Sequence, residues 1–205
     1  MPAIHLARLF SPRVGSITST FSHHWKIPLV CALLIPGVAV GGPATNVAPE
    51  VWARIGPQVE RQMYAFDADG RASNREQCFQ VAAESSGLAV SGDLRLRVTA
   101  LNGEPLPEAA PLVRENRVEY PRGAVTEWFE NRKDGVEQGF TVKEFQIPSS
   151  SFQVDLDVAL DGVRAMEIAA DGQSARLTDT QGRDFGYGGL KAWDAVGRDL
   201  KVWLA

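Results

Sequence analysis

From Asn116 to Phe145 the chain reads NRVEYPRGAVTEWFENRKDGVEQGFTVKEF, two runs rich in β-branched and aromatic residues parted by Glu130-Asn131-Arg132-Lys133-Asp134-Gly135. Asp-Gly accepts the positive φ that a tight hairpin turn needs. In the second run Val136, Gln138, Phe140, Val142 and Glu144 fall on one side, and Glu137, Gly139, Thr141, Lys143 and Phe145 on the other. A two-residue period suits a strand with one face on a core and does not suit a helix. In the first run Val118, Tyr120, Ala124, Thr126 and Trp128 alternate against Glu119, Val125, Glu127 and Phe129. Pro121-Arg122-Gly123 interrupts that run and marks a bulge or a corner. The expectation is two long antiparallel strands with one mainly apolar face.

The rest of the chain repeats the theme. Gln77 to Ala83 and Leu88 to Val90 flank Glu84-Ser85-Ser86-Gly87, a second hairpin signature. Leu94, Leu96, Val98 and Ala100 alternate with Arg95, Arg97 and Thr99, so the arginines form a solvated face. Asn102-Gly103 turns the chain, and Pro105, Pro107 and Pro111 make residues 102–114 read as a loop or stiff connection. Residues 147–151 read as a linker. Phe152, Val154, Leu156 and Val158 alternate again, and Asp161-Gly162, Asp171-Gly172 and Gln181-Gly182 are turn signals about ten residues apart. Leu200, Val202 and Leu204 alternate with Lys201, Trp203 and Ala205. Ahead of all this, Glu50 to Ile55 reads as a short helix broken at Gly56-Pro57, with Met63 to Phe66 leaning to strand. Short strands with turns at this spacing predict an all-β, antiparallel β-sandwich over residues 45–205, preceded by a short N-terminal helix.

Some of these residues carry a resemblance. Tyr120, Arg122-Gly123, Thr126-Glu127-Trp128-Phe129, Asn131 and Gly135-Val136-Glu137-Gln138-Gly139-Phe140 resemble the β-rich N-terminal domain of secreted bacterial proteins with FG-GAP (integrin-α-like) repeats. Ala72-Ser73-Asn74-Arg75, Tyr187-Gly188-Gly189-Leu190 and Trp193-Asp194-Ala195 extend the similarity to about residues 50–205. The resemblance implies a β-rich architecture and a cell-surface location; it implies no activity. The sequence reads as such a head without the repeats.

Residues 1–44 read as a removable secretory leader: a basic n-region to Lys26, an apolar run from Ile27 to Val40, then Gly41-Gly42-Pro43-Ala44. The run is too short to span a bilayer, so no stable membrane span is expected once the leader is gone. The expected location is secreted or cell envelope, and the expected partner a protein or glycan at the cell surface. The leader region holds Arg8, Arg13 and Lys26 and no acid, so of 21 basic and 25 acidic residues the remainder keeps 18 and 25, a net charge of −7. Nucleic acid, which needs a cationic footprint, is disfavoured.

His5, His23 and His24 all lie in that leader, so residues 45–205 contain no histidine for a triad, a general base or a metal site. Cys78 is the one cysteine beyond it and reads as a small buried apolar residue. No cofactor motif occurs. An enzyme would have to rely on carboxylates, and a glycosidase needs two roughly 5–9 Å apart. Glu127 and Glu137 stand on the two arms of the central hairpin; with the turn centred near Lys133 they would lie nearly opposite. The plainer alternative is that both are solvent-face residues bonded to Arg122, Arg132 or a backbone amide. Asp67 and Asp69 are similar to the start of an acidic calcium loop, but no bidentate Glu follows at the right spacing. Trp128, Tyr187 and Trp193 are the aromatic candidates for ligand binding, against the alternative that they fill the core. Two functions therefore stand: a non-catalytic exported structural or interaction module, and a carbohydrate-active hydrolase or glycan-binding module using Glu127 and Glu137.

Overall fold

The computed structural model describes residues 3–10, 49–143 and 153–205. In chain order its elements are β1 (Ala3–Phe10), α1 (Pro49–Met63), β2 (Arg71–Asn74), β3 (Phe79–Glu84), β4 (Gly87–Val90), β5 (Leu94–Leu101), β6 (Glu104–Pro105), β7 (Leu112–Arg114) and β8 (Arg117–Arg122). There follow β9 (Val125–Arg132), β10 (Gly135–Val142), β11 (Leu156–Asp161), β12 (Val163–Ile168), β13 (Ser174–Asp179), β14 (Asp184–Gly188), β15 (Lys191–Trp193) and β16 (Asp199–Leu200). One sheet runs β12-β13-β14-β1-β10-β9-β8-β7, with β15 on β1 and β16 on β15; the other runs β11-β5-β4-β3-β2, with β6 on β5. Neighbouring strands pair antiparallel, as short strands joined by tight turns must. The architecture is an all-β antiparallel sandwich with one short helix among the described residues.

The inner faces of the two sheets meet in two apolar clusters. The larger joins Val81, Leu88, Leu94 and Leu96 of one sheet to Val118, Phe129, Val136 and Leu177 of the other. The smaller gathers Val98, Val125, Phe140, Val142 and Ala192. Every second residue of β5 is buried, as its alternation predicts.

Four features differ from the sequence reading. The run from Val118 to Phe129 is not one strand with a corner. Arg122 pairs with Val125, so Gly123-Ala124 is a full reversal and the run forms the hairpin β8–β9. The reversal changes which residues share a face: Val118, Tyr120 and Arg122 now point inward with Val125, Glu127 and Phe129, not with Thr126 and Trp128. Helix α1 passes through Gly56-Pro57 to Met63. Gly56 has no Cβ to meet the proline ring, which relieves the restriction that proline places on the residue before it. The C-terminal ladder ends at Leu200; beyond it the tail is held by Leu204 N donating to Gly172 O at 2.8 Å. Finally, residues 3–10, expected in the n-region of the leader, form a strand between β10 and β14. The run Ile27–Val40, the leader boundary at residue 44 and the linker at 147–151 lie outside the described residues. No helix among the described residues is long and apolar enough to cross a membrane.

Candidate functional site

A layer of polar side chains separates the two apolar clusters. Along β9 the inward residues are Val125, Glu127 and Phe129, and along β10 they are Val142, Phe140, Gln138 and Val136. Glu127 and Gln138 thus stand between an apolar neighbour of one cluster and an apolar neighbour of the other. Glu127 is 0% exposed and Arg122, which pairs with it, 1%. Arg122 Nε donates to Glu127 Oε2 at 3.0 Å. Glu127 Oε1 accepts from Gln138 Nε2 at 2.9 Å and from Val98 N at 2.8 Å. Val98 belongs to the other sheet, beside the register shift at Asp157/Val158 where β5 leaves regular pairing. The carboxylate therefore ties the sheets together. Tyr187 OH donates to Gln138 Oε1 at 2.8 Å, and Tyr120 OH donates to Gly87 O at 3.0 Å. Burial pushes the Glu127 carboxyl above its ordinary value; the Gln138 bond, the Arg122 charge and the Val98 amide pull it back. Burial also raises both tyrosine hydroxyls, so they act as donors.

The structure does not bring Glu127 and Glu137 together. The β9–β10 turn is two residues long, with Arg132 opposite Gly135. That register places Glu127 opposite Phe140 and Glu137 opposite Glu130. Glu127 faces the core; Glu137 is half-buried on the outer face, where Arg132 Nη1 donates to it at 3.1 Å. The expected arginine and amide partners are present, but Glu127 is an interior residue and not a solvent-face one. An acid–base pair across one face is excluded by strand parity.

The three aromatic candidates do not form one platform. Trp128 lies on the outer face, yet is 2% exposed: Arg117 stacks over its ring at 4.0 Å and Gly139 lies beneath it. Tyr187 is in the interior, and Trp193 is half-buried on β15. Cys78 is exposed with φ 56°, not buried as expected.

Asp67 and Asp69 belong to a turn. Asp67 Oδ1 accepts from Asp69 N and Arg71 N, both at 2.9 Å. Among the described residues no group of three or more His, Cys, Asp or Glu could hold a metal. The same turn recurs at Asp179-Thr180-Gln181-Gly182-Arg183 and Asp194-Ala195-Val196-Gly197-Arg198. In each, the Asp Oδ1 accepts the amides two and four residues on, at 2.8–3.0 Å. In the latter two, the Arg Nε donates back to the same Asp at 2.6 Å. The repeated D-x-x-G-R was present in the sequence, and its shared pattern is the signal that would have found this role. A second polar cluster also went unforeseen: Asn74 Nδ2 donates to Asn131 Oδ1 at 2.9 Å and Asn131 Nδ2 to Tyr64 O at 3.1 Å, inside the sandwich.

One opening has the shape of a binding site. A cleft of about 720 Å³ lies between β11 and the strands β12–β14, with Leu156, Val158, Leu177, Tyr187 and Leu204 among its lining. Met166 and Trp203, exposed by 54% and 46%, also line it. Its ionisable lining is Asp155, Asp157, Tyr187 and Lys201, with Lys201 Nζ 5.4 Å from the Trp203 ring centre. No protein-family model, curated protein or solved structure matches the chain.

Proposed function

We propose that the chain is an exported, non-catalytic interaction module, and that the cleft receives an apolar segment of a protein partner at the cell surface. The observation that carries this reading is the contrast between cleft and interior. The carboxylate best suited to acid–base chemistry, Glu127, is bonded into the sheet-joining layer, while the cleft offers mainly apolar walls. Its volume falls within the range of about 300–1,000 Å³ typical of ligand sites. Sugar recognition would favour several aromatic rings on one exposed face, and Trp128, Tyr187 and Trp193 are not so arranged. Kinship with the N-terminal domain of FG-GAP proteins is part of the proposal. It is supported by Tyr120, Arg122, Glu127, Asn131, Gln138 and Tyr187, which carry both the resemblance and the buried polar bonds.

The cleft is tested with an anilinonaphthalene sulfonate dye. Native protein should enhance its fluorescence saturably, and Met166→Arg, at an exposed position, should abolish the enhancement without lowering the melting temperature. Equal enhancement by the variant sinks the cleft as the site. Turnover of an aryl glycoside that disappears in a folded Glu127→Gln variant would establish an enzyme instead. N-terminal sequencing of secreted material tests export and shows whether residues 3–10, which form β1, stay with the exported chain.

A further inference from the structure

Strand β1 reaches the middle of the first sheet from the far N-terminal end of the chain. It is antiparallel to β10 on one side and to β14 and β15 on the other. Without it the sheet divides into the ladder β7-β8-β9-β10, the ladder β12-β13-β14 and the pair β15–β16, each hydrogen-bonded within itself. Residues 11–48 separate β1 from α1, so none of those ladders relies on β1 for its own turns.

The register shows what the gap selects. Position 4 falls between Phe140 and Ala192, and position 9 between Val136 and Tyr187. All four flanking residues are buried members of the two apolar clusters. The sequence has Ile4 and Leu9 at those positions. Their spacing is odd because the register shifts between His5 and Arg8. Position 5 lies beside Gly139, position 8 beside Gly188 and position 10 beside Gly186. Each of these rows thus has a glycine on one side; Lys191 stands across position 5 from Gly139, and Glu137 across position 8 from Gly188.

We infer that the gap between β10 and β14–β15 is a strand-accepting site, filled by residues 3–10 as an exchangeable segment. Backbone hydrogen bonds on two edges supply affinity, and the rows at positions 4 and 9, in register with buried apolar residues, supply selectivity. A cut within residues 11–48 would sever β1 from the rest of the chain without breaking the chain of either flanking ladder. The same segment of a second copy would fit in the same register. This site adjoins the cleft and shares Phe140, Tyr187 and Ala192 with its lining; strand exchange is read by the bound peptide and the cleft by the dye and Met166→Arg, so either can fail alone.

The test uses the full chain with a protease recognition sequence placed within residues 11–48, cut after folding. The cut protein is then mixed with a fluorescein-labelled peptide of residues 2–11. The anisotropy should rise saturably, fall again with unlabelled peptide, and be accompanied by release of the original fragment on gel filtration. A peptide carrying Ile4→Asp and Leu9→Asp should bind at least about 100-fold more weakly, since each sets a charge in register with buried apolar residues. Equal binding by that peptide overturns the selectivity. A fragment that stays bound and admits no labelled peptide, in buffer or in mild urea, overturns the exchange. If the uncut chain with Ile4→Asp and Leu9→Asp melts like the native protein, the strand does not occupy the gap.

Discussion

Arg122 and Glu127 are a buried ion pair with three neutral partners, and the effect of mutating them depends on whether one or both are changed. Arg122→Met strands a carboxylate between two apolar clusters and should lower stability by about 3–5 kcal/mol. Adding Glu127→Leu removes the stranded charge, so the double variant should recover much of that loss. Urea melts of the two single variants and the double provide the cycle; strictly additive losses would show that the pair does not act as a unit. Gly139 poses a different question at the same scale. A Cβ there would overlap the Trp128 ring. The ring is held from above by Arg117, so Gly139→Ala should cost about 1–3 kcal/mol. A melt unchanged from native would mean the indole is free to move aside. Alternation alone put Trp128 on the face of Val118 and Tyr120; it is buried instead on the opposite, outer face, because a neighbour without a side chain makes room for it.

The elements owe their ends to turn chemistry more than to strand propensity. In the D-x-x-G-R turn the glycine takes φ of 71–81°, and the aspartate holds two amides that the strands cannot reach. At Gly182 nothing lies within 4 Å of an added Cβ, so Gly182→Ala isolates the backbone term. The variant should lose about 1–2 kcal/mol, read from its denaturant midpoint. A larger loss would point to a contact rather than to φ. Turn positions were legible at Gly103, Gly135, Gly162, Gly172 and Gly182, all of which have positive φ. The turn at Gly123-Ala124 was not, because Pro121 beside it read as an irregularity within one strand. That single misplaced reversal also misassigned the faces of Glu127 and Trp128.

At the scale of the molecule, polar bonds stitch the two sheets at their ends and middle. Asn131 reaches Ser73 O at one place and Glu127 reaches Val98 N at another. Elsewhere Arg183 Nη2 donates to Ser91 O at 2.6 Å while its Nε holds Asp179. Burial raises the Asp179 carboxyl, but the Arg183 amide and guanidinium and the Gln181 amide outweigh it and hold the group below the usual carboxylate range. A depressed carboxyl stabilises the fold above its unfolded value, about 3.9, and loses that contribution as pH falls through the folded value. Thermal melts should therefore drop as pH falls below about 4. Asp179→Asn keeps an acceptor for the turn but cannot titrate, so its melts should drop less steeply. An identical acid profile would place the sensitivity elsewhere.

What the amino-acid sequence settled by itself was local: the two-residue period, the turns, and hence an antiparallel sandwich. Those signals act over a few residues, where sterics and hydrogen-bond geometry leave little choice. Tertiary structure alone decided that β1 fills the gap between β10 and β14, that Glu127 meets Val98, and that Asn131 meets Asn74. Each joins residues far apart in the chain, and no periodicity along one strand encodes which distant strand will lie beside it.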